Sequence, residues 1–193
     1  MAARGAIPIL NRREAFGGLM FAAAGLAGLT PTYAVAQGAL APLSWKPVAL
    51  TAAQARTLDA AAEAIMPATD TPGAREAGVA RSIDAWVGSF CTQADAAKIR
   101  GALDRLDADA KAAGAASFAA ATPAQRTAVL AKIDAEPAPA GGKAPFGLLK
   151  EYVTVAFFTS RPGATKTLRY EANPGAYRGC IPVSQIGRTW ATS

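Results

Sequence analysis

Residues 146–160 read FGLLKEYVTVAFFTS. Between positions 146 and 158 the only charges are Lys150 and Glu151, so a helix built here has no polar face and must be buried on most sides. That predicts a helix at the centre of a bundle, or one held between a bundle and a partner. The stretch YVTVAFF also has strong β propensity, and a buried strand is the competing reading.

The segments upstream have helical patterns. Thr51 followed three residues later by Gln54 is a capping-box signature. Leu58, Ala62 and Ile65 mark one face of the helix it opens, and Pro67 ends it. TDTPGA (69–74) is turn chemistry, in which Asp70 bonds to nearby backbone, Pro72 fixes φ and Gly73 admits a positive φ. Val79, Ile83, Trp86, Val87 and Phe90 form the apolar face of a second helix. Ile99, Leu103 and Leu106 do the same for a third, whose polar side carries Asp104, Arg105, Asp107 and Asp109. Such alternating charge reads as a solvated face rather than an acid–base pair. Thr122 and Gln125, with Pro123 at the first helical position, open a fourth helix that reaches the core through Val129, Leu130 and Ile133. EPAPAGGKAP (136–145) is a break. The predicted fold is mainly α: a small irregular helical bundle of about five helices over 37–159, followed by an extended Gly/Pro/aromatic C-terminal tail over 160–193.

Composition narrows the function. With 51% apolar and 18% charged residues the chain is neither disordered nor a coiled coil. A net charge of +6 raises the question of nucleic acid. Lys and Arg are scattered without a block of five or six, so no nucleic-acid partner is predicted. There is no histidine, which removes the Ser-His-Asp and Cys-His engines and every His-ligated metal or haem. Cys91 and Cys180 are the only cysteines, too few for a four-thiolate cluster. No catalytic, cofactor-binding or metal-binding residue is therefore expected on this chain. An enzyme using carboxylates alone would have to draw on Asp70, Asp84 and Glu151, and nothing in their spacing gathers them.

Residues 1–36 read as an export signal. Adjacent Arg12 and Arg13 precede a weakly apolar run over 17–29, and Ala34, Val35 and Ala36 make a small-x-small end before Gln37. That run spans roughly 20 Å as a helix, short of the ~30 Å hydrocarbon core, so it is not read as an anchor. The arginine pair and Gly/Ala-rich middle resemble a twin-arginine signal, although Phe16 lies one position later than that motif places it. An ordinary secretory signal is the alternative. Cleavage after Ala36 would remove Arg4, Arg12, Arg13 and Glu14.

The tail has a different character. Arg161, Lys166, Arg169, Arg178 and Arg188 face a single acidic residue, Glu171. Tyr170, Tyr177, Ile181, Val183 and Trp190 are too widely spaced to pack on one another, so they need a surface from this bundle or from another protein. Arg, Tyr and Trp dominate interface energetics. Arg161, Arg169, Tyr170, Tyr177, Arg178, Ile181 and Trp190 are accordingly the candidate partner interface. Paired cysteines are usual in exported proteins. A Cys91–Cys180 bond would close a loop of about 90 residues and contribute ~4–5 kcal/mol in the chain-entropy model.

LTAAQARTLDAAAEAIMPATDTPGAREAGV (50–79) together with LLKEYVTVAFFTSRPGATKTLRYEANPGAYRGCIPV (148–183) closely resembles the gluconate 2-dehydrogenase subunit 3 family. TDTPGA and the ending GAT…LRYE…PG.Y.GCIP are its specific parts. At Arg161 and Pro162 the chain departs from the acidic-then-aliphatic pair expected there. The resemblance implies a non-catalytic small subunit of a periplasmic flavin-dependent sugar or sugar-acid dehydrogenase complex, peripheral at the inner membrane. It implies a large glucose–methanol–choline-type flavoprotein partner carrying FAD, and a multihaem cytochrome c that supplies haem c on a third subunit. It also implies engagement of the twin-arginine translocation machinery, with the small subunit helping the large one to mature and cross. A free-standing periplasmic helical binding or interaction module is the alternative.

Overall fold

Thr51 opens the first long helix through the predicted capping box. Its hydroxyl accepts from Gln54 N at 3.2 Å, and its own amide donates to the Gln54 side chain. This is a computed structural model, describing residues 42–193 except 138, 140, 141, 174, 176–179, 192 and 193. The main helices are α1 (Ala52–Ile65), α2 (Val79–Ser89), α3 (Gln93–Ala112), α4 (Pro123–Asp134) and α5 (Pro145–Phe158). A π-helical turn (Gly163–Thr167) and a short α6 (Val183–Ile186) follow. The described residues contain no strand, only an isolated bridge in the tail. Thr92 caps α3 by accepting from Asp95 N at 3.1 Å, and Thr122 repeats the capping box at α4.

The α5 segment is a helix, not a strand. Phe146, Leu149, Val153, Ala156 and Phe157 are buried at steps of three, four, three and one, the period of a helix face. This helix packs against each of α1, α2, α3 and α4. Coverage is incomplete, however, because Glu151, Val155 and Thr159 form an exposed stripe. The core around it is continuous and includes Leu58, Ile83, Ile99, Leu103, Leu106 and Phe118. Ala55, Ala61 and Ala110 are fully buried among them, small side chains that let helices approach closely.

Phe90 departs from the expected apolar face: it is 81% exposed. It is the C-cap of α2 with φ −123°, so its backbone has left the helix and its ring leaves the core side.

Gly73 is needed for a reason other than the predicted positive φ. It is not among the glycines with φ in the left-handed region. A Cβ there would lie 2.6 Å from both Ala68 N and Glu63 Oε1. The Glu63 carboxylate fills that space and fastens the turn, accepting from Arg75 N at 2.8 Å and from Ala68 N at 3.3 Å. Asp70 accepts from the Thr69 hydroxyl at 2.9 Å, a side chain instead of the expected backbone.

Asp84 is 1% exposed. Its two oxygens accept the amides of Val48, Ala49 and Leu50 at 2.8, 3.1 and 2.9 Å. Three backbone donors satisfy a buried carboxylate, and the carboxylate in turn moors the bent segment entering α1 against α2.

Candidate interaction surface

The tail begins at the C-terminus of α5. Ser160 Oγ donates to Phe157 O at 2.6 Å and accepts from Gly163 N at 3.1 Å. A Cβ on Gly163 would stand 2.0 Å from Phe157 O, so only glycine lets the chain fold back this tightly. Lys166 then pairs with Glu76 at 3.1 Å, tying the π-turn to the loop before α2.

Beyond the turn the chain closes on itself. Arg169 N donates to Thr189 O and Ala191 N donates to Arg169 O, each at 2.8 Å. These bonds form a parallel bridge that sets Arg169 beside Trp190. The Arg169 guanidinium lies 4.4 Å from the Trp190 ring centroid, a cation–π contact. Arg188 donates to Lys166 O at 2.6 Å. Trp190, expected to need a surface from the bundle or from another protein, meets Arg169 within the tail instead. It has a partner in the tail, brought by a bridge between segments about 20 residues apart.

Arg161 and Tyr170 are exposed, while Arg169, Ile181 and Trp190 are half-buried. Tyr177 and Arg178 lie outside the described residues, as do Arg12, Arg13, Ala34 and Ala36. Large apolar side chains open to solvent include Val48, Phe90, Val155 and Tyr170.

Both cysteines carry free thiols, so the expected Cys91–Cys180 bond is not made in this structure. Cys91 is half-buried at the end of α2, where its thiol donates to Tyr152 Oη at 3.5 Å. Cys180 is exposed in the tail. The contact with Cys91, then burial, then nearby negative charge push the Tyr152 phenol up to about 12. Trp86 packs edge-on against the same ring at 6.1 Å.

Asp70, Asp84 and Glu151 are not brought together as an acid–base set. Asp84 is occupied by backbone amides, Asp70 by Thr69, and Glu151 pairs with Lys143 at the surface. Among the described residues no group of three or more His, Cys, Asp or Glu is placed to hold a metal ion. No described helix is long and apolar enough to cross a membrane.

Three features of the structure are not visible in the sequence. Asp84 is named there only as a carboxylate, and its mooring role carries no signal, because its partners are amides more than thirty residues away. Phe118 stands alone in an Ala-rich stretch without periodicity, yet it is fully buried with its amide donating to Asp107. A cleft lined by arginines from α1, α4 and the turn before α2 has no local signature at all.

A family model described as gluconate 2-dehydrogenase subunit 3 matches residues 52–175. The chain belongs to the gluconate 2-dehydrogenase subunit 3 family. No curated protein and no solved structure matches it. The match to the subunit 3 model begins with the first residue of α1 and runs through α5, the π-turn and Arg169. It therefore takes in the whole bundle and one arm of the tail bridge, while Trp190, the other arm, lies beyond it. As a member of the subunit 3 family the chain is a subunit of a dehydrogenase complex.

Proposed function

We propose that this chain is a non-catalytic accessory subunit of an exported flavin-dependent sugar or sugar-acid dehydrogenase. Its role is to assist maturation, export and stability of a large glucose–methanol–choline-type subunit that carries FAD. A cytochrome c subunit with haem c completes the electron path. Export follows the twin-arginine route directed by Arg12 and Arg13, with cleavage after Ala36. The assembled complex resides in the periplasm, peripheral to the inner membrane.

Family membership over residues 52–175 carries this reading. The chemistry of the chain supports it: there is no histidine, and Asp84, the one buried carboxylate among those considered for catalysis, is taken up by backbone amides. The surface is suited to docking, with Tyr170 and Phe90 exposed and the tail held by its own bridge. Preorganised aromatic and arginine side chains lose little freedom on association.

The test is co-expression of the full chain with a candidate large flavoprotein of the glucose–methanol–choline type. Omitting this chain is expected to abolish periplasmic dehydrogenase activity, and replacing Arg12 and Arg13 by Lys is expected to retain both polypeptides in the cytoplasm. Full periplasmic activity of the large subunit without this chain would overturn the proposal.

A further inference from the structure

A cleft of about 350 Å³ opens between the segment preceding α1, α1 itself and α4. It is within the size range of small-molecule sites, ~300–1,000 Å³. Arg56, Arg75 and Arg126 line it, and Asp59 is the one carboxylate among its lining residues. Leu43 and Trp45 form an apolar wall.

The fold leaves this charge only partly answered. Asp59 accepts from Arg75 Nε at 2.8 Å. Arg126 spends its donors on the carbonyls of Phe118 and Ala119, at 3.2 and 2.5 Å. Burial, and then the Arg75 guanidinium, push Arg126 below its ordinary value, with Asp59 pulling the other way. Arg56 Nε and Trp45 Nε1 are buried donors that meet no acceptor among the described residues. Three guanidiniums against one carboxylate, with two donors unanswered, make a positive recess lacking an acceptor. The planar guanidinium fork suits carboxylate oxygens, and the apolar wall suits the carbon skeleton of an organic acid.

We infer that the cleft between α1 and α4 binds an organic carboxylate through Arg56, Arg75 and the Trp45 indole N–H. The carboxylate is either a free small acid or an acidic side chain of an assembled partner. Neither source depends on a catalytic role for this chain.

The test titrates the full-length protein with succinate, following the Trp45 indole N–H resonance, assigned by Trp45→Phe. Glucose serves as the neutral control. Saturable movement with succinate and none with glucose is expected. Arg56→Met keeps the aliphatic stem and should weaken succinate binding about tenfold or more, as for loss of a charge-assisted hydrogen bond. Asp59→Asn removes the one negative lining group and should tighten binding, a gain that partial unfolding cannot mimic. No saturable shift, an equal response to glucose, or an affinity that Asp59→Asn fails to raise would overturn the inference. Repeating the titration on the chain assembled with the dehydrogenase large subunit separates the sources. Succinate that still binds identifies a free acid; succinate excluded only from the complex identifies a partner carboxylate.

Discussion

Leu50 N donates to Asp84 Oδ1 at 2.9 Å inside the protein, across 34 residues of sequence. Val48 and Ala49 add two more amides to the same carboxylate. Asp84→Ala would leave all three donors without an acceptor. The expected loss is ~2–4 kcal/mol in urea unfolding of the full chain. Asp84→Asn retains one carbonyl oxygen and should cost less, though its NH₂ must face an amide donor. A change within ~0.5 kcal/mol for Asp84→Ala, the range of ordinary surface substitutions, would show that the mooring contributes little.

Gly73→Ala is expected to destabilise by ~1–3 kcal/mol, as overpacking does. The added methyl meets Glu63 Oε1 and Ala68 N, each at 2.6 Å. Combining it with Glu63→Ala should recover only part of the loss. The backbone of Ala68 stays in the way, and the amides of Arg75 and Ala68 lose their acceptor. Unfolding curves of the two single variants and the double one read this directly.

Two phenylalanines should separate stability from assembly. Phe118 is fully buried, and Phe118→Ala should cost ~3–5 kcal/mol. Phe90 is 81% exposed, so Phe90→Ala should leave the melting temperature unchanged while weakening association with the large subunit. Equal effects of Phe90→Ala and wild type in a pull-down would remove Phe90 from the interface.

Tyr152 supplies a pH test. Its phenol is raised to about 12, first by the hydrogen bond with Cys91 and then by burial, whereas an unfolded chain titrates near ~10. The folded state therefore holds a proton that the unfolded state has lost between those values. The stability this contributes is fully present below pH ~10 and disappears as the pH rises toward 12. Cys91→Ala should move the Tyr152 titration toward the ordinary value, visible as tyrosinate absorbance. If oxidation forms the Cys91–Cys180 bond that the sequence suggests, oxidised protein should show the same downward movement, and non-reducing peptide mapping would identify the linkage.

Trp190→Ala removes the ring under the Arg169 guanidinium, a contact worth ~0.5–1 kcal/mol at an exposed site. The bundle should keep its stability, because α1–α5 form their core without the tail. Hydrogen exchange at Arg169 and Ala191, whose amides form the bridge, should accelerate by at least several-fold. Binding to the large subunit should fall in parallel.

Local signals made the helices readable. Thr51 with Gln54, and Thr122 with Gln125, announce helix starts because a cap is decided by residues three apart. Ile99, Leu103 and Leu106 announce a buried face for the same reason. The all-apolar α5 was legible as a buried element, but its helical state depended on neighbours that the stretch itself does not contain. Phe90 broke the pattern because a face persists only while the helix does. Nothing local reveals what lies close only after folding: Asp84 with the entry to α1, Trp190 with Arg169, or Arg56 with Arg126 across the cleft. The residue types that make the tail a candidate interface are visible in the sequence, whereas the bridge between Arg169 and Trp190 is not.

The mooring of Val48 also sets a leash. From the proposed cleavage point after Ala36 to Val48 is a dozen peptide steps, at most ~40 Å when drawn taut. If export follows the proposed twin-arginine route, a processing enzyme cutting there must work within that radius of a domain that has already closed around Asp84. Lengthening or shortening those residues should then alter how fast the leader is removed, while leaving the melting behaviour of the bundle untouched.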